Sequence, residues 1–97
     1  MSVRITLELE AKPDSVDQLM TFMKEILPDT LSFPGCEGLE FCRNQDTPEN
    51  MLFIESWATR GDYEKYLAWR SETGVLGSLG EWLAAPPNAR YYDLVEF

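Results

Sequence analysis

The sequence predicts an α+β fold with a four-stranded antiparallel sheet, on three observations. Four short segments read as strands, the first of them alternating apolar and polar residues with a period of two. Apolar residues recur at helical spacing over 16–31 and again over 63–83, and clusters of Pro, Gly, Asn and Asp separate these stretches.

In the first segment Val3, Ile5, Leu7 and Leu9 alternate with Arg4, Thr6, Glu8 and Glu10. Successive side chains of a strand point to opposite sides, so this strand has one apolar face. After Lys12-Pro13-Asp14-Ser15 the period changes. Val16, Leu19, Met20, Met23, Leu27 and Leu31 follow one helical face, widened by Phe22 and Ile26, with Asp14 or Ser15 as N-cap. Pro28 lies inside this stripe. It has no N–H and crowds the preceding turn, which predicts a kink or a break, and Pro34-Gly35 predicts the stop. Cys36 to Arg43 reads as the second strand, 44–50 (NQDTPEN) as the turn of a hairpin, and 51–58 (MLFIESWA) as the third strand. Met51, Phe53 and Trp57 on one face and Leu52 and Ile54 on the other predict cover on both sides. Tyr63, Tyr66, Leu67 and Arg70 return to helical spacing, and after Thr73-Gly74 so do Val75, Leu76, Leu79, Trp82 and Leu83, up to Pro86-Pro87. Residues 90–97 (RYYDLVEF) form the last strand, with Tyr91, Val95 and Phe97 on one parity and Tyr92 and Leu94 on the other.

The resulting order, β-α-β-β-α(α)-β, is ferredoxin-like, with the helices on one face of the sheet. Residues 1–97 are expected to form a single domain, since no linker, repeat or low-complexity segment interrupts them. A chain of this length folds alone, burying over ~60% of the surface its unfolded state exposes, with little core to spare for a large cavity. A sizeable pocket is therefore expected to need a second subunit. Met51, Phe53, Trp57 and the second parity of the last strand are expected to place apolar surface on the face the helices leave bare. A homodimer with sheet packed on sheet is the simplest closed way to cover it.

Seventeen acidic residues against 8 basic ones give a formal net charge of −9. Nucleic acid and anionic membrane are disfavoured as partners, because either is approached against repulsion. The acidic residues are scattered from Glu8 to Glu96, as on a solvated surface. No stretch approaches the ~18 apolar residues of a membrane span, and MSVRITLELE alternates where a signal peptide has an apolar run. A cytoplasmic location is expected. Cys36 and Cys42 sit on one strand, roughly 20 Å apart at ~3.3 Å per residue, too far for a disulfide. They read as partly buried, inert packing thiols, and Met20, Met23 and Met51 as core filler. The chain has no histidine. That removes the commonest general base, the commonest zinc ligand and every Ser-His or Cys-His pair.

Phe33-Pro34-Gly35-Cys36, the strand Phe53-Ile54-Glu55-Ser56-Trp57 and the following Tyr63-Glu64-Lys65-Tyr66-Leu67 together resemble the antibiotic biosynthesis monooxygenase family. The resemblance runs over nearly the whole chain in order and spacing. It implies a dimeric α+β barrel with a small-molecule site between the sheet and helices of each subunit. Activities in the family include cofactor-independent oxidation of quinols and polycyclic aromatics, haem degradation, and handling of small signalling molecules. Many members carry a histidine nine residues after the tryptophan of the Glu-x-Trp strand, and here that position is Tyr66. The haem-degrading branch binds iron through a histidine in this helical region, so the departure points away from it. The quinol branch needs no metal or other cofactor.

The resemblance implies a substrate that supplies its own electrons to dioxygen, so the protein need only bind a flat apolar ring, favour its anion and exclude water. Trp57, Tyr63, Tyr66, Trp69, Trp82, Tyr91 and Tyr92 are concentrated in the second half of the chain. They read either as the lining of a pocket for a small aromatic or hydrophobic molecule, with Tyr63, Trp69, Trp82 and Tyr91 as substrate contacts, or as plain packing. Trp57, the family-matched residue, is core, pocket wall or catalytic. A phenol of ordinary pKa about 10 is a poor base but donates well to a developing oxyanion, the role open to Tyr66. Arg70, one turn on, either places positive charge near the same anion or pairs with Glu64 or Glu72. Glu55, in an apolar strand, is either a desolvated carboxylate acting as the base or the partner of Arg43 or another cross-strand cation. A non-catalytic barrel that binds a small hydrophobic ligand is the alternative to the monooxygenase.

Overall fold

A computed structural model describes residues 2–97. The elements are β1 (Val3–Glu10), α1 (Val16–Ser32), β2 (Cys36–Arg43), β3 (Asn50–Trp57), α2 (Arg60–Glu72), α3 (Val75–Gly80) and β4 (Asn88–Asp93). The four strands form one antiparallel sheet in the order β2-β3-β1-β4. This is the expected ferredoxin-like arrangement.

β1 and β3 pair in register from Val3↔Trp57 to Glu10↔Asn50. Their odd-numbered residues therefore share the face that α1, α2 and α3 cover. Met51, Phe53 and Trp57 lie on that covered face, packed among helix residues. The expectation that they enrich the bare face is corrected. Both parities of β3 are apolar, but the alternation of β1 pulls the odd set inward, so the bare face carries half-buried Leu52 and Ile54 beside Arg4, Thr6 and Glu8.

α1 runs unbroken through Pro28. The expected break is absent because the last turns are held from outside and from within. Arg70 of α2 donates to the Ile26 carbonyl at 2.7 Å, and the Ser32 hydroxyl donates to the Pro28 carbonyl at 3.1 Å. The stripe ends inward at Thr30, which is buried, while Leu31 is half exposed. Phe33 stops the helix: as the residue before Pro34 it takes extended backbone, φ −69° and ψ 137°. Gly35 follows at φ 95°, and a Cβ there would stand 2.5 Å from the Asp62 side chain, so this turn requires glycine.

β4 ends at Asp93, not at residue 97, because its partner β1 ends at the pair Val3↔Asp93. Leu94, Val95 and Phe97 beyond it are exposed. A register shift between Cys36 and Gly38 opposes Cys36 to Trp57 and Cys42 to Leu52. Cys36 therefore packs on the covered side while Cys42 is exposed, where partial burial of both was expected; both thiols are free. Among the described residues no helix is long and apolar enough to cross a membrane.

Candidate functional site

Two buried clusters share the layer between sheet and helices. One is aliphatic apart from Phe53: Leu9, Ala11, Leu19, Met23, Met51, Phe53, Leu79 and Leu83. The other is aromatic: Trp57, Tyr63 and Tyr66 on Val3 and Ile5. A cavity of about 40 Å³ opens where they meet. Its floor is Leu7, Leu39, Phe53 and Glu55 of the sheet; α1 contributes Met23, Ile26, Leu27 and Thr30, α2 contributes Tyr63, Tyr66, Leu67 and Arg70, and α3 contributes Val75, Leu76 and Leu79. Such a volume holds a few water molecules. Ligand pockets typically run from ~300 Å³ upward.

α2 delivers its side chains through a capped first turn, in which the Thr59 hydroxyl accepts from the Asp62 amide at 3.1 Å. Tyr63, Tyr66 and Arg70 then follow at i, i+3 and i+7 and face inward together. Arg70 is 3% exposed. Its Nε donates to the Tyr66 hydroxyl at 3.0 Å, and its Nη2 donates to the Thr30 hydroxyl at 3.0 Å as well as to the Ile26 carbonyl. The Thr30 and Tyr66 hydroxyls stand 2.7 Å apart. The guanidinium also lies 4.5 Å from the Trp69 ring and 5.3 Å from the Tyr66 ring. Pairing with Glu64 or Glu72 does not occur. Glu64 instead meets Arg60 at 3.8 Å, because the turn that carries Tyr66 inward carries Arg70 with it.

Glu55 is 4% exposed on the floor of the cavity. Its Oε1 accepts from the Trp57 indole at 3.0 Å. Burial raises its pKa, and the indole N–H opposes the rise. No pairing with Arg43 forms, since Glu55 faces the helices while Arg43 Nε turns to the Pro48 carbonyl at 2.9 Å. Burial pushes the Tyr63 phenol far up, with the Glu55 charge second, so Tyr63 stays neutral.

The structure thus brings Glu55, Tyr63, Tyr66 and Arg70 to one cavity. Trp57 stands behind it, fully buried, holding Glu55 and packed 5.2 Å from Tyr66 and 5.5 Å from Tyr63. Trp69 flanks Arg70 and lies tilted against Phe33, with ring centroids 5.4 Å apart. Tyr91 on β4 touches Tyr63 at 5.8 Å and lies under Arg60 at 3.7 Å, away from the cavity. Trp82 is separate from this group: it packs on Phe22 at 5.1 Å against the aliphatic cluster. Thr30 was not singled out in the sequence. Its signal was a hydroxyl seven residues after Met23 on the buried stripe of α1, a place where a polar group must find a partner.

Residues 2–73 match the family model for antibiotic biosynthesis monooxygenase. A conserved protein from Methanosarcina mazei Go1 is similar in structure, with a TM-score of 0.86 at 21% identity over 95% of this chain and 91% of its own. So is an antibiotic biosynthesis monooxygenase, with a TM-score of 0.87 at 19% identity over 97% of this chain and 99% of its own. A protein of unknown function from Nitrosomonas europaea gives 0.83 at 19% identity, over 99% and 91%. At these identities the likeness establishes the fold. No curated protein sequence matches the chain significantly.

Proposed function

The chain belongs to the antibiotic biosynthesis monooxygenase family, and from that premise we propose that it is a cofactor-independent monooxygenase acting on a small phenolic or quinol-like aromatic. The observation that carries this reading is the convergence of the Glu55 carboxyl, the Tyr66 hydroxyl and the Arg70 guanidinium on one otherwise apolar cavity. None of the three is tied up in an ion pair among the described residues. Glu55 takes the phenolic proton. The anion gives one electron to dioxygen, and the resulting radical and superoxide join at a ring carbon as a peroxide. The peroxide loses water to give the quinone, so that phenol and dioxygen become quinone and water. Tyr66 and Arg70 stabilise the oxyanion at the start of this sequence. Apolar walls keep bulk water away.

The cavity must widen to take a ring. One of its walls is α3, a helix of only six residues with Gly77 and Gly80 inside and Gly74 before it at φ 80°. Displacing Val75, Leu76 and Leu79 admits the ligand. Assembly as a homodimer through the bare sheet face is part of the proposal. Its basis is now Leu52, Ile54 and Tyr92 on that face together with the exposed Leu94, Val95 and Phe97, and sedimentation as a monomer at micromolar concentration counts against it.

Oxygen uptake with a panel of naphthohydroquinones and anthrones in air tests the activity. The expected result is consumption well above the buffer rate with at least one member. Consumption at the buffer rate throughout overturns the oxidation, and thermal stabilisation by the same compounds without uptake identifies a ligand-binding barrel instead.

A further inference from the structure

The oxidation chemistry leaves the Thr30 hydroxyl without a task, although it lines the same cavity and is buried. Threonine inside a helix commonly returns its hydroxyl to the carbonyl four residues back. Thr30 does so only loosely, with the Ile26 carbonyl 3.4 Å away, while the Tyr66 hydroxyl stands at 2.7 Å.

The hydrogens of this group can be counted. A guanidinium only donates, whereas a hydroxyl has one hydrogen to give and two lone pairs to receive. Arg70 Nε fills one lone pair of Tyr66, and Arg70 Nη2 fills one of Thr30. Each hydroxyl keeps its own hydrogen, and only one of the two fits between the oxygens. When Tyr66 donates to Thr30, the Thr30 hydrogen goes to the Ile26 carbonyl and both are used. When Thr30 donates to Tyr66, the Tyr66 hydrogen has no further acceptor among the described residues, and what remains to it is the cavity.

The first arrangement is complete without a ligand. The second is complete only with an acceptor oxygen in the cavity, because a buried donor left unmatched is costly. The two differ by rotation of two hydroxyls about their C–O bonds, with every heavy atom in place. The short Thr30–Tyr66 bond is kept in both, so the exchange gives up only the long bond to Ile26, whose carbonyl retains Arg70 Nη2 at 2.7 Å.

We infer, resting on the cavity being the ligand site, that Thr30 is a positioning residue for Tyr66. Its hydroxyl takes the Tyr66 proton when no acceptor is present, and reverses the bond when an acceptor oxygen enters, turning the Tyr66 proton to the ligand. Thr30 itself does not touch the reacting atoms.

Acetophenone and α-methylstyrene test this, since they differ by an oxygen in place of a CH₂ group and neither is a quinol. In NMR titration of the intact chain, acetophenone is expected to bind about fivefold more tightly and to move the Tyr66 phenol proton, which α-methylstyrene leaves in place. Thr30→Ser keeps the hydroxyl and is expected to keep the preference. Thr30→Val leaves the Tyr66 proton no partner but the ligand, and is expected to widen the preference by about tenfold while lowering stability. The widening is expected to vanish when Tyr66→Phe is added, which separates a route through Tyr66 from one through the freed Arg70 Nη2. An unchanged preference in Thr30→Val overturns the inference, since a merely structural threonine affects both compounds alike, and so does a widening that persists in the double variant. Should Thr30→Val not fold, a Tyr66 phenol proton that acetophenone does not move in the wild-type chain overturns it equally. Binding of neither compound overturns it together with the ligand site. The expected preferences without oxygen uptake by any quinol overturn the oxidation alone, and oxygen uptake without them overturns the role of Thr30 alone.

Discussion

The layer between sheet and helices has two halves built on the same two strands, and they are chemically unlike. β1 and β3 send Leu9 and Met51 into one half and Val3, Ile5 and Trp57 into the other. The first half is closed by Leu19 and Met23 of α1 and Leu79 of α3, so its buried residues are aliphatic apart from Phe53. The second is closed by Tyr63 and Tyr66 of α2, and the buried polar residues Thr30, Glu55 and Arg70 stand beside it. Strand alternation decides only which side chains turn inward. The helix laid over them decides whether the space becomes packing or chemistry. The aliphatic half is stabilised by area removed from water. The aromatic half keeps hydroxyls, a carboxyl and a guanidinium inside, each needing a partner to stay there.

Truncation in the aliphatic half breaks the comparison most forcefully. Leu19 is fully buried and does not border the cavity. Leu19→Ala is expected to lower stability by about 2–5 kcal/mol in urea unfolding, the transfer term plus the hole left behind. The folded fraction should keep its ligand affinity and oxygen uptake. A change in affinity as large as that in stability would mean the two halves act as one unit.

Tyr66→Phe is the matching change in the aromatic half and is expected to be smaller in stability and larger in function. The ring and its packing remain, but Arg70 Nε and the Thr30 hydroxyl lose their shared partner. A loss of about 1–3 kcal/mol is expected from the unsatisfied donors. Oxygen uptake per folded molecule is expected to fall about a hundredfold or more, as when one oxyanion donor is removed. Retention of full uptake would reduce Tyr66 to packing.

The two halves were also unequally legible in the sequence. The aliphatic one follows from periodicity: Leu9, Leu19, Met23 and Met51 occupy positions that a period of two or a helical stripe assigns to an interior. The aromatic residues were readable as a group, but their destinations depended on contacts distant in the chain. Trp82 belongs to the helical spacing that resumes at Val75 after the turn at Gly74, and it packs on Phe22 against the other cluster. Arg70 has acidic neighbours at surface spacing, and its burial is set by the Ile26 carbonyl and Thr30, 44 and 40 residues away. The bare face of the sheet was misread because both parities of β3 are apolar, so only the pairing with β1 distinguishes them. β4 stops short for the same reason: the length of a strand is set by its partner.

The smallest expected effect has the opposite sign. Glu55→Gln keeps the oxygen that accepts from the Trp57 indole and removes a charge that burial penalises. The folded pKa of Glu55 lies above its unfolded value, so its protonated form is favoured by the fold. That contribution is fully present below the unfolded pKa and is lost as pH rises through the folded one. The variant, which cannot ionise, escapes the loss. Its stability is expected to equal that of the wild type near pH 4 and to exceed it at pH 8, read as a difference in urea midpoint that widens with pH. Oxygen uptake in the wild type should rise over the same interval, because the base acts only when ionised, and in the variant it should be low and flat. A stability difference independent of pH would mean that Glu55 does not titrate with folding, and would take from the aromatic half the proton acceptor that sets it apart from the aliphatic one.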